Sequence, residues 1–487
     1  MKRYISLALF SAILLSSLAS CGGSAPSADT TAASGDTTAP ADTALTDGLP
    51  DTDMNGFEFR ILSSTQDALT WANCQLDSEG ENGDVINDAI FLRNTKTEDR
   101  FNCKIVNTTM DWREVNSQYQ SLVLAGDNPY DIIMQIGTNV MNNIEYMSDL
   151  HILPHVNFEA DWWNPRATKM FSLGEKQIAA SSNMSLGGVS TANCLIFNTR
   201  LYNDLGYDKT LYDYVREGTW TTDKLFEVAA DAVTDLNGDT IIDKNDRYGI
   251  SGTTKSFHHL LVIGGGMNYV SKNAENFPQF DAPGNEKLVS FFEKVVNAEI
   301  KTPALFATPA NPDTEDFPVD FASGGALFHV SWAHNISSKY RDMADDFGFI
   351  PAPKYDENQK EYYANMANSE LVTLPRSFDK ARLDNIGMIL EALSFYTQQE
   401  IIPVYKEVLV EGKLTRDEVS LEMLDIIFGG ITYDFGINVW QAEVGNAIMK
   451  SIFQTKSDAI ASTLDSIAPT LDAAIEKLHA AVDAMDE

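Results

Sequence analysis

Between residues 57 and 134 the chain alternates strand-like and helix-like stretches, and this rhythm restricts the available folds more than any other feature. Phe57-Glu58-Phe59-Arg60-Ile61 alternates as a half-buried strand does and breaks at Ser63-Ser64. Over 84–100, Val85, Ile86, Ala89, Ile90 and Phe91 fall on one helical face. Cys103-Lys104-Ile105-Val106 reads as a second strand, 112–125 as a second helix closed by Gly126-Asp127, and Asp131-Ile132-Ile133-Met134 as a short buried strand. Such alternation implies an α/β fold, a mainly parallel sheet with helices on both faces. Ligands of such sheets bind beyond the carboxyl ends of the strands, here Ser63-Ser64-Thr65 and the run from Gln135 to Asn139.

Later segments repeat the pattern. Cys194-Leu195-Ile196-Phe197-Asn198 reads as a strand, and Gly218-Thr219-Trp220-Thr221-Thr222-Asp223 enters a helix with Thr221 or Thr222 as cap. The stretch from Gly324 to Val330 reads as a strand ending at Ser331-Trp332. From about Phe378 onward the chain is mostly helical. A length of 487 residues is long for one core and comfortable for two domains. The formal net charge of −35 repels phosphate backbones and argues against nucleic-acid binding. Cys74, Cys103 and Cys194 contain no CxxC; they leave room for one bridge, such as Cys74 to Cys103, or for three buried thiols.

The N-terminus reads as an address. Lys2 and Arg3 precede a short apolar run, and Leu18-Ala19-Ser20 stands before Cys21. This is a secretory layout, with an apolar stretch too short for a membrane span. Small residues followed by cysteine resemble the lipobox of bacterial lipoproteins, which implies a signal peptide over 1–20 and a lipid on Cys21. Residues 21–50, rich in Gly, Ser, Ala, Thr, Pro and Asp, read as a flexible tether. The expected location is extracytoplasmic, anchored to the cell membrane.

Asp235-Leu236-Asn237-Gly238-Asp239-Thr240-Ile241-Ile242-Asp243-Lys244-Asn245-Asp246 has the spacing of an EF-hand loop. Calcium takes six to eight oxygens. Asp235, Asn237, Asp239, Asp243 and Asp246 would offer side chains and Ile241 its carbonyl, with Ile242 packing inward. Thr240 stands where the pattern has glycine, and Asp246 where it has the longer glutamate. A structural Ca²⁺ is the expectation.

Thr219-Trp220-Thr221-Thr222-Asp223-Lys224-Leu225, the acidic loop, and Asp246-Arg247-Tyr248-Gly249-Ile250 together resemble the extracellular solute-binding proteins of bacterial ABC importers, family 1, the sugar-binding group. The stretch from Gly83 to Ala89 with Arg93-Asn94 looks like that family's first helix. Phe321 to Leu327 with Ser331-Trp332 looks like its second-lobe strand and pocket tryptophan, and Phe347 to Pro353 like its crossing strand. The resemblance implies a two-lobed periplasmic-binding-protein-like fold of type II with a hinge between the lobes. Lobe 1 would hold 51–192 and about 362–397; lobe 2 would hold 193–354 and about 398–487. It also implies a monomer that captures a sugar or oligosaccharide without altering it and delivers it to the membrane subunits of a permease.

A sugar site needs flat aromatics for stacking and short polar side chains for hydrogen bonds. By the resemblance, Trp332 stacks on the ligand, and Gln135, Thr138 and Asn139 lie where the first lobe touches it. Relatives for maltose-type sugars carry an aromatic and charged residues at those three positions, so this chain departs there. Ser63, Ser64 and Asp67 follow the first strand and face the expected cleft. Trp440, Tyr433 and Asp434 form an aromatic–acid cluster, and Phe257, His258 and His259 are candidates for the second lobe's lining. Trp162-Trp163 reads equally as a packed surface turn.

Enzyme signatures are sparse. G-x-S-x-G, H-E-x-x-H and Walker sequences are absent. Gly264-Gly265-Gly266 lacks a following Lys-Ser/Thr and reads as a helix exit. His151 and His155 are separated by Pro154, which breaks the helix that would align them. Ser377-Phe378-Asp379-Lys380 matches S-x-x-K without K-T-G, so Ser377 reads as a helix cap. A non-enzyme is expected; a surface glycoside hydrolase and a polysaccharide-binding surface protein without a transporter are the alternatives.

Overall fold

In the computed structural model the described residues are 46–65, 74–127, 129–307, 319–340, 343–367, 369–411 and 418–486. Cys21 and Asp67 lie outside them. Two five-stranded sheets organise residues 47–487. In the first, β1 (Phe57–Ser64) pairs in parallel with β2 (Cys103–Met110) and β3 (Ile132–Ile136). The strand Glu370–Pro375 then pairs antiparallel with β3, and β4 (Met147–Ser148) pairs antiparallel with it in turn. The strand order is therefore β2, β1, β3, 370–375, β4.

Local chemistry explains the helices of this half. Asp84 caps α1 (Val85–Phe101) by accepting the Ile86 and Asn87 amides. Asp111 caps α2 (Trp112–Ala125), which Gly126 ends at a left-handed φ of 71°. Period-two alternation buries both faces of the sheet. Phe59, Ile61 and Met134 pack with Trp163, Val372 and Leu390, whereas Leu62 and Ile133 join the larger core that continues into the second half. Asp131, at the foot of β3, is clamped by Arg60 and Arg382. Burial works to raise its carboxyl, but these guanidiniums hold it below the ordinary carboxylate range.

The second sheet runs Phe306–Ala307, Tyr248–Ser251, Ala326–Trp332, Asn193–Asn198, Phe347–Ile350. Its first three strands are parallel and the last two antiparallel to their neighbours. Thr221 caps the helix Thr222–Ala232.

The chain passes between the halves three times. Residues 180–192 lead from an isolated bridge at Ala180↔Val372 to the strand Asn193–Asn198. Ala364–Asn365 pairs with Ile431–Thr432 on the way back to Glu370–Pro375. After Leu383–Tyr396 the C-terminal helices touch both halves: Ile402–Val410 packs on α1 and on Ala333–Ser338, and Ile460–Asp483 on 144–146 and on Glu286–Lys301.

Three local expectations resolve here. Cys74, Cys103 and Cys194 are buried thiols outside any disulfide. Trp162 and Trp163 both donate their indole N–H to Glu391, at 2.9 and 2.7 Å, and Trp163 is fully buried. Ser377 is not a cap: its hydroxyl donates to the Asp127 carbonyl, and Asp379 caps the following turn.

Candidate functional site

The carboxyl edge of the first sheet carries the topological switch between β1 and β3, where open α/β sheets bind ligands. Directly after β3 comes α3 (Gly137–Asn142). Gln135 is buried; its amide donates to Thr373 Oγ1 at 3.1 Å and accepts from Asn143 at 2.6 Å. Asn139 is also buried and donates to the Trp112 carbonyl at 2.9 Å. Both amides therefore fasten α3 to the lobe, contrary to the expectation that they face ligand. Thr138 is half-buried and lines a cavity of about 290 Å³.

Trp440 forms another wall of that cavity, with Met141, Asn142, Glu443, Lys477 and Leu478 completing its chemistry. The Trp440 ring stands edge-on to Phe435 at 5.7 Å. Asp434 sets the turn that presents it. One carboxylate oxygen caps the helix Phe435–Asn438 through the Ile437 amide at 2.8 Å; the other accepts the Tyr269 and Val270 amides at 2.9 and 3.3 Å. Burial pushes this carboxyl up to about 6 against the pull of those amides. Asp434 is thus a backbone anchor one turn away from the cavity rather than a lining residue.

A line of buried amides ties the Trp440 turn to the second sheet. The Asn438 side-chain amide donates to Asn365 Oδ1 at 3.3 Å, and the Asn365 backbone N–H donates to Asn193 Oδ1 at 2.9 Å. Asn193 is in register with Trp332. Trp332 is half-buried at its strand end, its ring parallel to His334 at 6.4 Å. An aromatic face therefore stands at each end of this amide line.

The remaining sequence candidates sit in packed surroundings. Ser63 donates to Asn107 at 2.9 Å across the sheet, and Ser64 is buried at the strand end. Tyr433 is fully buried against Phe171 at 4.9 Å. Phe257 stacks on Phe306 at 4.3 Å, and His258 is buried against Glu299. His259 is buried beside Tyr269, and burial drives its imidazole well below its ordinary value. These last three were expected on the second lobe's lining; from Phe257 onward every residue of the helix Thr254–Gly264 is buried, so they face core.

Glu370 escaped the sequence reading. It sits opposite Ile136 at the same sheet edge, accepts the Ser64 amide at 2.7 Å, and is 3% exposed. Burial pushes its carboxyl up to about 7. Nothing local marks it, because its partner Ser64 is 306 positions away. Met141, Glu443 and Lys477 were missed for the same reason.

A larger cavity of about 460 Å³ contains none of the sequence candidates. Its polar walls are already paired: Arg166 with Glu361, Lys406 with Asp425, and Asn183 with Gln398. The smaller cavity is the better ligand site on those grounds.

In the acidic loop each side chain turns onto the backbone. Asp235 accepts the Gly238 and Thr240 amides, Asn237 accepts Asp239, Asp239 accepts Ile241, and Asp243 accepts Asn245. Asp246 accepts Leu236 and Asp243, which holds its carboxyl below the ordinary range. Thr240 adopts a φ of 70°, the left-handed region that the glycine of the pattern would occupy without strain. Ile241 is exposed and Ile242 only half-buried. Among the described residues no three His, Cys, Asp or Glu side chains converge closely enough to hold a metal.

No protein-family model matches the chain, and no curated protein matches it in sequence. Solved structures do. An extracellular solute-binding protein from Staphylococcus aureus in complex with maltose superposes with a TM-score of 0.57 at 13% identity, over 88% of this chain and 99% of that one. A cyclic alpha-maltosyl-1,6-maltose binding protein from Arthrobacter globiformis gives 0.51 at 13%, over 88% and 99%. A cyclo/maltodextrin-binding protein complexed with maltotetraose gives 0.51 at 14%, over 90% and 97%. The fold is that of the two-lobed, type II solute-binding proteins. The two sheets, the crossing strand Glu370–Pro375 and the C-terminal helices account for that architecture in this chain.

Proposed function

We propose that this protein is the extracytoplasmic, lipid-anchored receptor of an ABC importer, that it captures a sugar or oligosaccharide, and that it hands the ligand unaltered to a membrane permease. One observation carries the reading. Thr138, beyond a strand of the first sheet, and Trp440, in the C-terminal region, line one cavity although 302 residues separate them. A tryptophan face beside Thr138, Asn142, Glu443 and Lys477 is the mixture a sugar requires: an apolar surface for the ring, and donors and acceptors for its hydroxyls. The similar structures that hold maltose and maltotetraose support a carbohydrate ligand. Trp332, across the amide line, is a second stacking surface in this reading. Cys21 carries the lipid and 21–50 the tether, and the lobes divide as set out from the sequence. No helix among the described residues is long and apolar enough to cross a membrane.

The test is a panel of oligosaccharides titrated by calorimetry, with product analysis alongside. Saturable one-to-one binding with intact ligand is expected. Release of shorter sugars would make the protein a hydrolase, and binding to polymer alone would make it an adhesin. Trp440→Ala should weaken the best ligand about tenfold, the worth of one stacked aromatic at about 1.4 kcal/mol, and should also lower the melting midpoint, because the ring is 8% exposed and packs on Phe435.

We also propose a structural Ca²⁺ in the acidic loop. Asp235, Asn237, Asp239, Asp243, Asp246 and the Ile241 carbonyl supply the oxygen donors that calcium takes. Their side chains retain lone pairs after accepting the loop amides, and the loop must tighten for them to converge. Millimolar calcium should raise the melting midpoint in the parent but not in Asp235→Ala or Asp239→Ala. An unmoved parent midpoint removes the ion from this reading.

A further inference from the structure

The hairpin formed by Ser271–Lys272 and Pro278–Gln279 reaches out of the second half of the molecule and has no part in the reading above. It meets the turn 169–174 of the first half. Lys272 Nζ donates to the Lys169 carbonyl at 3.1 Å, to Asn276 Oδ1 at 3.2 Å and to the Ser172 carbonyl. Oxygens of two segments take up its N–H groups, with no carboxylate among them, and burial pulls the amine down to about 7. Asn276 adds a second clasp. Its side-chain amide donates to Ser172 Oγ and to the Gly174 carbonyl, both at 2.8 Å, from a backbone at φ 63°.

Phe277 extends the contact to a third body. Its ring lies 3.2 Å from the position a Cβ would take at Gly174, and it stacks on His479 with centroids 3.9 Å apart at 22°. His479 belongs to the helix Ile460–Asp483, whose Lys477 and Leu478 wall the candidate cavity. Lys176, beside the clasped turn, donates to the Val482 carbonyl of the same helix at 3.2 Å. The cavity wall is therefore braced by a hairpin of one half that grips a turn of the other.

We propose that Lys272, Asn276 and Phe277 are positioning residues of the ligand cavity: they clasp the two halves together outside the hinge and hold the C-terminal helix at the distance from Thr138 that the ligand needs. This rests on the reading of that cavity as the sugar site. Hinge movement must release or carry the clasp, so it also biases the lobes toward the arrangement described here.

The experiment uses the full chain with Lys272→Met, which keeps the aliphatic stem, and Asn276→Gly, which keeps the left-handed backbone while removing both side-chain bonds. Backbone hydrogen exchange is measured without sugar over 171–178 and 474–483, and maltotetraose is the binding probe. Both variants should exchange at least tenfold faster in both segments, keep the parent circular dichroism, and bind maltotetraose at least threefold more weakly. Parent-like exchange in both variants overturns the clasp. Faster exchange with parent-like binding overturns the positioning role. If the parent itself binds no maltotetraose or other glycan of the panel, the sugar reading fails, and the exchange comparison still decides whether the clasp exists.

Discussion

Glu299→Ala should lower stability by about 3–5 kcal/mol, the cost of breaking a buried ion network by removing one partner, or a drop of about 3–5 °C in melting midpoint at this chain length. Glu299 is 4% exposed. One oxygen meets His258 Nε2 at 2.8 Å and the other meets Lys456. The second ring nitrogen of His258 donates to the Thr254 carbonyl at 2.6 Å. Removing the carboxylate strands a buried imidazole and uncouples three segments: the helices Thr254–Gly264 and Glu286–Lys301, and the chain at Lys456. Burial works to raise the Glu299 carboxyl, but His258 and Lys456 together pull it below its ordinary value. With a lowered folded pKa the stabilisation is present above the unfolded value, about 4.3, and is lost as pH falls through the folded value. Acid titration of the melting midpoint should therefore be flatter in Glu299→Gln than in the parent below about pH 4. Exposed Glu422, paired with Arg216, is the control: Glu422→Gln should cost less than about 1 kcal/mol. Equal losses at the two sites would refute the network's importance.

Arg93→Met is expected to be as damaging. Arg93 is 1% exposed and meets no carboxylate among the described residues; its guanidinium donates to the Leu76 and Met184 carbonyls, both at 2.7 Å, and to Thr397 Oγ1 at 2.9 Å. Burial pulls its pKa down to about 10. The fork thus joins α1, the crossing segment near 184 and the end of the helix Leu383–Tyr396. Methionine fills the volume but orphans the buried Met184 carbonyl, at about 1–3 kcal/mol, and takes one bond each from the Leu76 carbonyl and the Thr397 hydroxyl, which keep Asn94 and the Leu393 carbonyl as partners. Arg93→Lys should recover only part of the loss, because three donors on one nitrogen cannot span the same acceptors. A Met variant melting within about 1 °C of the parent, about 1 kcal/mol or less at this size, would sink the argument.

Local signals were legible where they were complete in themselves. Helix α2 runs Trp112–Ala125 as expected because Asp111 caps it and Gly126 ends it. β3 was visible as an apolar run. β2 continues to Met110, four residues past the expected end, because Asn107, Thr108 and Thr109 lie on a half-exposed flank that pairs fully with β1 despite its polar residues. The cavity was half legible. Thr138 was suggested by position after a strand and Trp440 by residue type. Gln135, beside Thr138 in sequence, points into the lobe, a difference set by Thr373 and Asn143. His258 looked like a polar candidate because its carboxylate partner is 41 residues away. Glu370, Glu443 and Lys477 carried no sequence signal, since only the crossings bring them to the site.

The place of Glu370–Pro375 in the first sheet constrains how the chain is made. β3 and β4 are never neighbours; that late strand lies between them. A ribosome adding 5–20 residues per second needs roughly 10–50 s to reach it after finishing β3. Throughout that interval β3 has an unfilled edge of backbone donors and acceptors, apolar on both sides, of the kind that recruits foreign strands. Newborn chains should thus be most prone to clumping before residue 375 emerges, and truncations ending between 192 and 370 should be insoluble even though they contain most of the first lobe.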